Sequence, residues 1–330
     1  MKKVFLTAFI FAFVFCTGIS AQENAEDKSP HSFGIVTDLT LRPMAPQRAS
    51  KEEHFSAPSE FYEGMEFRVT GQYAYTVPVP FSDNPLFGLN RVSFCGEMEL
   101  SPVTIAPRLS ITFCPIAFLE FSAGAKIGTG WDFIGNQGIA VYNDRSGKYD
   151  SLNTFENWYY QFEFNTLFQF DLAAVLPGDW HHVVMQANYD LIYSGLTGVA
   201  DGTPFDWQVT YEKANGLNYY ANLFVGYQMP LVLQTVGIMT EWSGYYSNDV
   251  FDKKYEDFFG AFTFVSINPA AILKFDDHNS LTVALYFSTR RGYDAEKRTI
   301  NGRKQSELDM KYSAPEWYFQ RIALRWEYKF

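Results

Sequence analysis

The chain ends on a run in which every second residue is apolar: Ile322, Leu324, Trp326, Tyr328 and Phe330, with Ala323, Arg325, Glu327 and Lys329 between them. A period of two marks an extended strand, because successive side chains point to opposite faces. One face of this strand suits hydrocarbon. The other carries Arg325, Glu327 and Lys329, a density of charge that the edge of a water-exposed sheet has little use for.

The same alternation recurs upstream. Over Ser32–Arg42 the residues Phe33, Ile35, Leu39 and Leu41 oppose Asp38, Thr40 and Arg42; over Met65–Val77 the polar set is Glu66, Arg68, Thr70 and Gln72. Val92, Phe94, Met98 and Leu100 alternate with Arg91, Cys95, Glu97 and Glu99 until the phase slips by one at Ser101–Pro102. A strand fused across that slip would run roughly 25 residues, about twice a barrel wall, so a hairpin is expected there, in which residue i faces residue 203 − i. Further strands are expected at Leu119–Trp131, Tyr160–Asp171, Val183–Leu191, Leu217–Met229, Leu231–Tyr246, Phe258–Phe275 and Leu281–Arg290. With the terminal run they make about twelve. Their connections alternate in length. One set covers roughly 43–63, 101–102, 134–157, 195–216, 247–257 and 292–315; the other, short or modest, covers 78–89, 114–117, 175–181, 229–231 and 275–280. Only 101–102 breaks the rule.

At the other end Lys2 and Lys3 precede an apolar stretch, Val4–Phe15, followed by Thr17, Gly18, Ser20 and Ala21. This order reads as a secretory signal peptide, residues 1–21, cleaved near Ala21. It leaves 22–31 as a short periplasmic tail and 32–330 as one barrel domain. Cys16 raises lipidation as an alternative, but Phe15 stands where that processing wants a small residue. No other stretch reaches 18 uninterrupted apolar residues. Losing Lys2 and Lys3 takes the net charge from −11 to about −13, a balance that argues against nucleic acid as a partner. Aromatics are 18% of the chain and charged residues only 19%, which suits aromatic girdles at two membrane interfaces.

A strand that closes the polypeptide on an aromatic residue resembles the sorting signal of bacterial outer-membrane β-barrels. The resemblance implies a fold and a place: an all-β, transmembrane, antiparallel up-and-down barrel in the bacterial outer membrane. It also implies two partners, outer-membrane lipid and the barrel-assembly machinery, the latter through Ile322, Leu324, Trp326, Tyr328 and Phe330. An exported sandwich or propeller would give similar strings. Against it stand Phe330, the loop-length asymmetry and aromatic clusters at strand ends, Trp158–Tyr160 and Trp317–Phe319.

With the polar phase turned inward, Arg42, Arg290, Arg321 and Arg325 form a basic wall on three strands adjacent at closure. Glu66, Glu97, Glu99, Asp132, Glu163 and Asp190 form an acidic wall. Opposed walls resemble the transverse field at the constriction of general porins and imply a passive channel for small polar solutes or ions. In the competing reading the charges pair and pack the interior, and loops 43–63, 134–157 and 292–315 serve an adhesin, interaction or structural role. No enzyme, metal or cofactor is expected. His31, His54, His181, His182 and His278 all fall in tail, loops or turns, and none stands mid-strand to serve a nucleophile on the wall. Cys95 and Cys114 point inward, beyond disulfide reach, and are expected as free thiols. The glycines of Lys126–Ile–Gly–Thr–Gly–Trp131 lie within a strand and open no helix, so they make room for bulky neighbours across the lumen rather than cradle phosphate.

Overall fold

The computed structural model describes residues 29–46, 55–79, 90–176, 178, 180–208, 212–300 and 303–330, with the backbone alone over 293–300 and 303–313. The expected signal peptide, most of the tail and His54 lie outside the described residues.

Twelve strands form the wall: β1 (His31–Met44), β2 (Glu60–Pro78), β3 (Arg91–Leu100), β4 (Thr104–Ile116), β5 (Leu119–Gly130), β6 (Tyr159–Asp171), β7 (His182–Leu196), β8 (Gly216–Gln228), β9 (Leu233–Tyr245), β10 (Phe264–Lys274), β11 (Asn279–Ile300) and β12 (Arg303–Lys329). Each pairs antiparallel with the next, and β12 returns to β1 with Gly34 opposite Lys329 and Leu41 opposite Ile322. Closure leaves no unpaired edge in the wall. The seam is finished by the Phe330 amide, which donates to the Phe33 carbonyl at 3.1 Å. Both described ends of the barrel therefore share one rim, the inner rim. The connections of that rim are short or modest, the longest being 79–90 between β2 and β3.

Three expectations are corrected. The β3–β4 hairpin is centred one residue later: Leu100 faces Ile105 and Glu97 faces Arg108, so residue i faces 205 − i. Ser101 sets this turn. Its hydroxyl accepts from the amides of Val103 (3.2 Å) and Thr104 (2.9 Å), and Pro102 takes the second turn position, where its fixed φ fits. Cys95 thus faces Ser110 and Cys114 faces Arg91; both thiols are free. The supposed loop 292–315 is mostly strand, because β11 and β12 stay paired out to Ile300 and Arg303. Lastly, β10 begins at Phe264; Lys253–Phe258 forms a 3-10 helix in the outer connection.

Candidate functional site

The inner face of the wall matters most, together with what the outer loops place over it. The β7–β8 connection folds across the outer mouth as a strap. Its strand Phe205–Trp207 pairs with Ile139–Asn143 of the β5–β6 connection, which pairs in turn with Lys148–Ser151, giving a three-stranded sheet over the opening. The amides and carbonyls of Phe205 and Lys213 bond reciprocally at 2.7 and 3.0 Å and close the strap into a hairpin. Trp207 lies parallel to Tyr159 of β6 with centroids 4.6 Å apart, inside a buried cluster with Ala106, Ile139, Leu196 and Phe205. Such a stacked pair is worth about 0.5–1.5 kcal/mol beyond the area it buries. Its seat depends on Gly128: a Cβ there would stand 2.6 Å from the Trp207 ring and 2.9 Å from the Ala106 Cβ. Here a loop ring fills the space that an inward glycine leaves on the wall.

Two further residues tie the strap down. Gln208 Nε2 donates to Glu99 Oε1 of β3 at 2.5 Å and to Thr104 Oγ1 of β4 at 2.8 Å. Glu212 pairs with Arg291 of β11. Rooted between β7 and β8 and held at β3–β4 and β11, the strap is fixed at three points spaced about evenly round the mouth. Gln208 (φ 57°) and Glu212 (φ 64°) both sit in the left-handed region, which costs a side-chain-bearing residue about 1–3 kcal/mol. Their anchoring contacts offset that strain. Lys213 is half-buried on the strap, and desolvation, together with the nearby Lys126 cation, lowers its amine to about 8 while Asp206 opposes the shift.

Beneath the strap the interior divides into two compartments that meet at Arg68 and Gln208. A chain of ion pairs marks the division and runs along the wall. Lys126 pairs with Glu99 at 3.0 Å, Glu99 with Arg68 at 3.3 Å, Arg68 with Asp38 at 2.8 Å, and Arg325 with Glu327 at 3.1 Å, while Asp38 lies 3.8 Å from Arg325. The compartment against β1, β2, β11 and β12 encloses about 130 Å³. Arginine and aromatic rings pack beside it: Arg321 lies 4.1 Å from the Tyr286 ring centre and Arg290 4.5 Å from that of Tyr318. Arg290 also pairs with Glu316 (2.9 Å) and donates to the carbonyls of Ala45 (2.8 Å) and Pro46 (2.9 Å). The compartment against β3–β9 is twice as large, about 260 Å³. There Arg108 is clamped between Glu97 (3.0 Å) and Glu163. Next to this clamp runs an arc of carboxamides on β6, β7 and β8 around Asp190.

The outer face is the reverse. Leu109 is 70% exposed, Phe162 57% and Ile238 54%, whereas inward Glu241 and Arg321 are each 3% exposed. An apolar belt round the whole wall exceeds any patch that a water-soluble surface carries, and hydrocarbon is the solvent that suits it. The chain is a barrel of the outer-membrane type.

No family model and no curated protein matches the sequence. Among solved structures it is similar to an outer membrane channel from Pseudomonas putida F1 (11% identity, 94% of this chain and 100% of that one, TM-score 0.46). It is also similar to the KdgM porin (9% identity, 90% and 99%, TM-score 0.34) and to the transport unit of the autotransporter AIDA-I from Escherichia coli (10% identity, 94% and 94%, TM-score 0.36). Function has to be read from this chain's own residues.

The structure groups the residues singled out in the sequence in a particular way. Arg42, Arg290, Arg321 and Arg325 do stand on β1, β11 and β12. Glu66 joins their side of the barrel, paired with Arg42 at 2.5 Å. Glu97, Glu99, Glu163 and Asp190 share the larger compartment. Asp132 does not: it lies in a short outer hairpin, exposed, and accepts from Ser151 Oγ at 2.5 Å, because β5 ends at Gly130, two residues before it. His31 and His182 each begin a strand rather than lying in tail or turn. His182 Nδ1 meets Asp171 Oδ2 at 2.6 Å, so a partner converges there that sequence spacing did not disclose. Among the described residues no group of three or more metal-ligating side chains comes together. Trp207, Gln208 and Glu212 were not anticipated. Their only forewarning was the pair of glycines on the inward face of β5.

Proposed function

We propose that this protein is an outer-membrane diffusion channel for small polar solutes, whose path follows the carboxamide compartment and whose mouth is closed by the strap. The reading takes the chain as exported on residues 1–21, cut near Ala21 and inserted through its terminal strand. One observation carries it: a cavity of about 260 Å³ lies along β3–β9, with carboxylates and carboxamides among its lining residues, directly beneath a loop held at discrete points. That volume falls below the roughly 300–1,000 Å³ of sites that enclose a small molecule, so passage requires the strap to yield. A permanently packed interior would not need a polar lining this large, since buried polar groups are costly unless fully bonded. The test is planar-bilayer conductance of the reconstituted chain. Small or intermittent currents are expected from the wild type, and steadier, larger ones from the Glu212→Ala/Trp207→Ala pair. Silence from both overturns the reading.

A second reading has its own support. β11 and β12 hold 22 and 27 residues, against the roughly 9–11 that cross a membrane, so their hairpin stands well clear of the outer rim. A surface interaction through this hairpin would be lost on deleting residues 295–308 with conductance unchanged.

A further inference from the structure

We infer that the larger compartment selects solutes bearing an ammonium group beside hydroxyl groups, and that Asp190 is the residue that selects them. This rests on the channel reading and names the solute class for the same path.

The argument begins with charge. Among the described residues that line this compartment, the carboxylates other than Asp190 have a cation at hand. Glu97 and Glu163 share Arg108, Glu99 takes Arg68 and Lys126, Glu120 has Arg91 at 2.6 Å, and Glu212 has Arg291. Lys213, on the strap above, lies within the field of Asp206. Asp190 is held otherwise: it makes no ion pair among the described residues, and Arg108, already clamped by Glu97 and Glu163, acts on it only from a distance. Its Oδ1 accepts from Asn165 at 2.5 Å and its Oδ2 from Asn188 at 2.7 Å. An ionised carboxylate offers about four acceptor sites, and two neutral donors leave both its charge and part of that capacity open to the cavity.

The surroundings suit a hydroxylated partner. Asn165 and Asp190 face each other across β6 and β7, and Asn188 faces Asn222 across β7 and β8. Gln161, Gln186 and Asn218 extend the arc. A carboxamide presents a donor and an acceptor side by side, the pattern that vicinal hydroxyls complement, and it adds no charge. A carboxylate ringed by carboxamides therefore favours a cation over a neutral solute of equal size, and disfavours an anion.

The experiment uses the full chain in liposomes, reading swelling rates in isosmotic glucosamine, glucose and glucuronate. These probes share a ring and differ in charge. The expected order is glucosamine, then glucose, then glucuronate, with glucosamine ahead of glucose by about two- to fivefold, the worth of one partly solvated ion pair. Asp190→Asn keeps the shape and removes the charge, with one neighbouring carboxamide turning over to accept from the new NH2; it should bring the glucosamine-to-glucose ratio to about one while glucose alone is little changed. Entry without that order, or an order that survives Asp190→Asn, overturns the inference and leaves the channel standing. If no probe enters, even with Trp207→Ala and Glu212→Ala loosening the strap, the channel reading falls and this inference with it.

Discussion

The two lumenal compartments share one wall and one chemistry of polar residues, yet one is twice as roomy as the other. In the smaller, the Arg321 guanidinium lies 4.1 Å from the Tyr286 ring centre, with Arg290 near Tyr318 beside it, and these bulky groups leave little room. In the larger, short carboxamides and clamped carboxylates stop at the wall, and the volume left over is twice as great, about 260 against 130 Å³. The lesson concerns shape as much as charge. Bulk decides which half of a charged interior is open, and charge pairing decides what that opening prefers.

The comparison breaks first at the strap. Truncating a buried Trp costs about 3–5 kcal/mol, enough to unseat a loop fixed at three points, so Trp207→Ala should raise conductance several-fold. The matching change in the smaller half, Tyr318→Ala, should lower the thermal midpoint without opening a path. Next in size is Arg108→Met, which leaves Glu97 and Glu163 without their shared cation. Removing one member of a buried pair costs about 3–5 kcal/mol, and the loss should appear in the heat-induced mobility shift. Arg321→Met in the other compartment removes, with its polar contact to Tyr286, a cation–π contact worth about 0.5–2 kcal/mol, and should cost less than Arg108→Met. Equal losses would erase the distinction between the halves.

A smaller effect is expected at Gly128. Gly128→Ala places a methyl against Trp207, and overpacking of this kind costs about 1–3 kcal/mol, so the variant should conduct more than the wild type and less than Trp207→Ala. The smallest is a pH response. Burial lowers the Lys213 amine to about 8, so between pH 8 and its ordinary value near 10.5 the seated strap binds fewer protons than the released one. Stability of the seated form therefore rises with pH across that window, and below pH 8 the penalty for charging Lys213 is present in full. Open probability should fall as pH is raised from 8 to 10, and Lys213→Met should flatten the response.

Much of this was legible in the sequence, and the parts that were not have identifiable causes. The wall was legible because lipid outside and polar groups inside impose a strict period of two, as in Ile322–Phe330. The register of β3 against β4 was not. Centres at 101–102 and one residue later differ by two in partner number, which leaves every residue on the same face, and only the hydroxyl of Ser101 chooses between them. That choice gives Arg108 Glu97 as its facing partner instead of Cys95, so the pairing of the lumen could not be read from phase alone. The outer part of β11–β12 was hidden for the opposite reason. Beyond the membrane neither face needs to be apolar, and the alternation that announces a strand disappears. The strap lay furthest from view. Its contacts with the wall come from β3–β4, β6 and β11, brought together only by closure of the barrel.

Cys95 supplies the most direct test of the central claim, because this free thiol lines the larger compartment while Cys114 is buried and outside it. The measurement is conductance of the Trp207→Ala channel before and after a charged methanethiosulfonate reagent, in a Cys114→Ser background. Attachment at Cys95 should reduce the current in step with labelling, and Cys95→Ser should abolish the effect. Full labelling of Cys95 with the current unchanged would contradict a path through the carboxamide compartment.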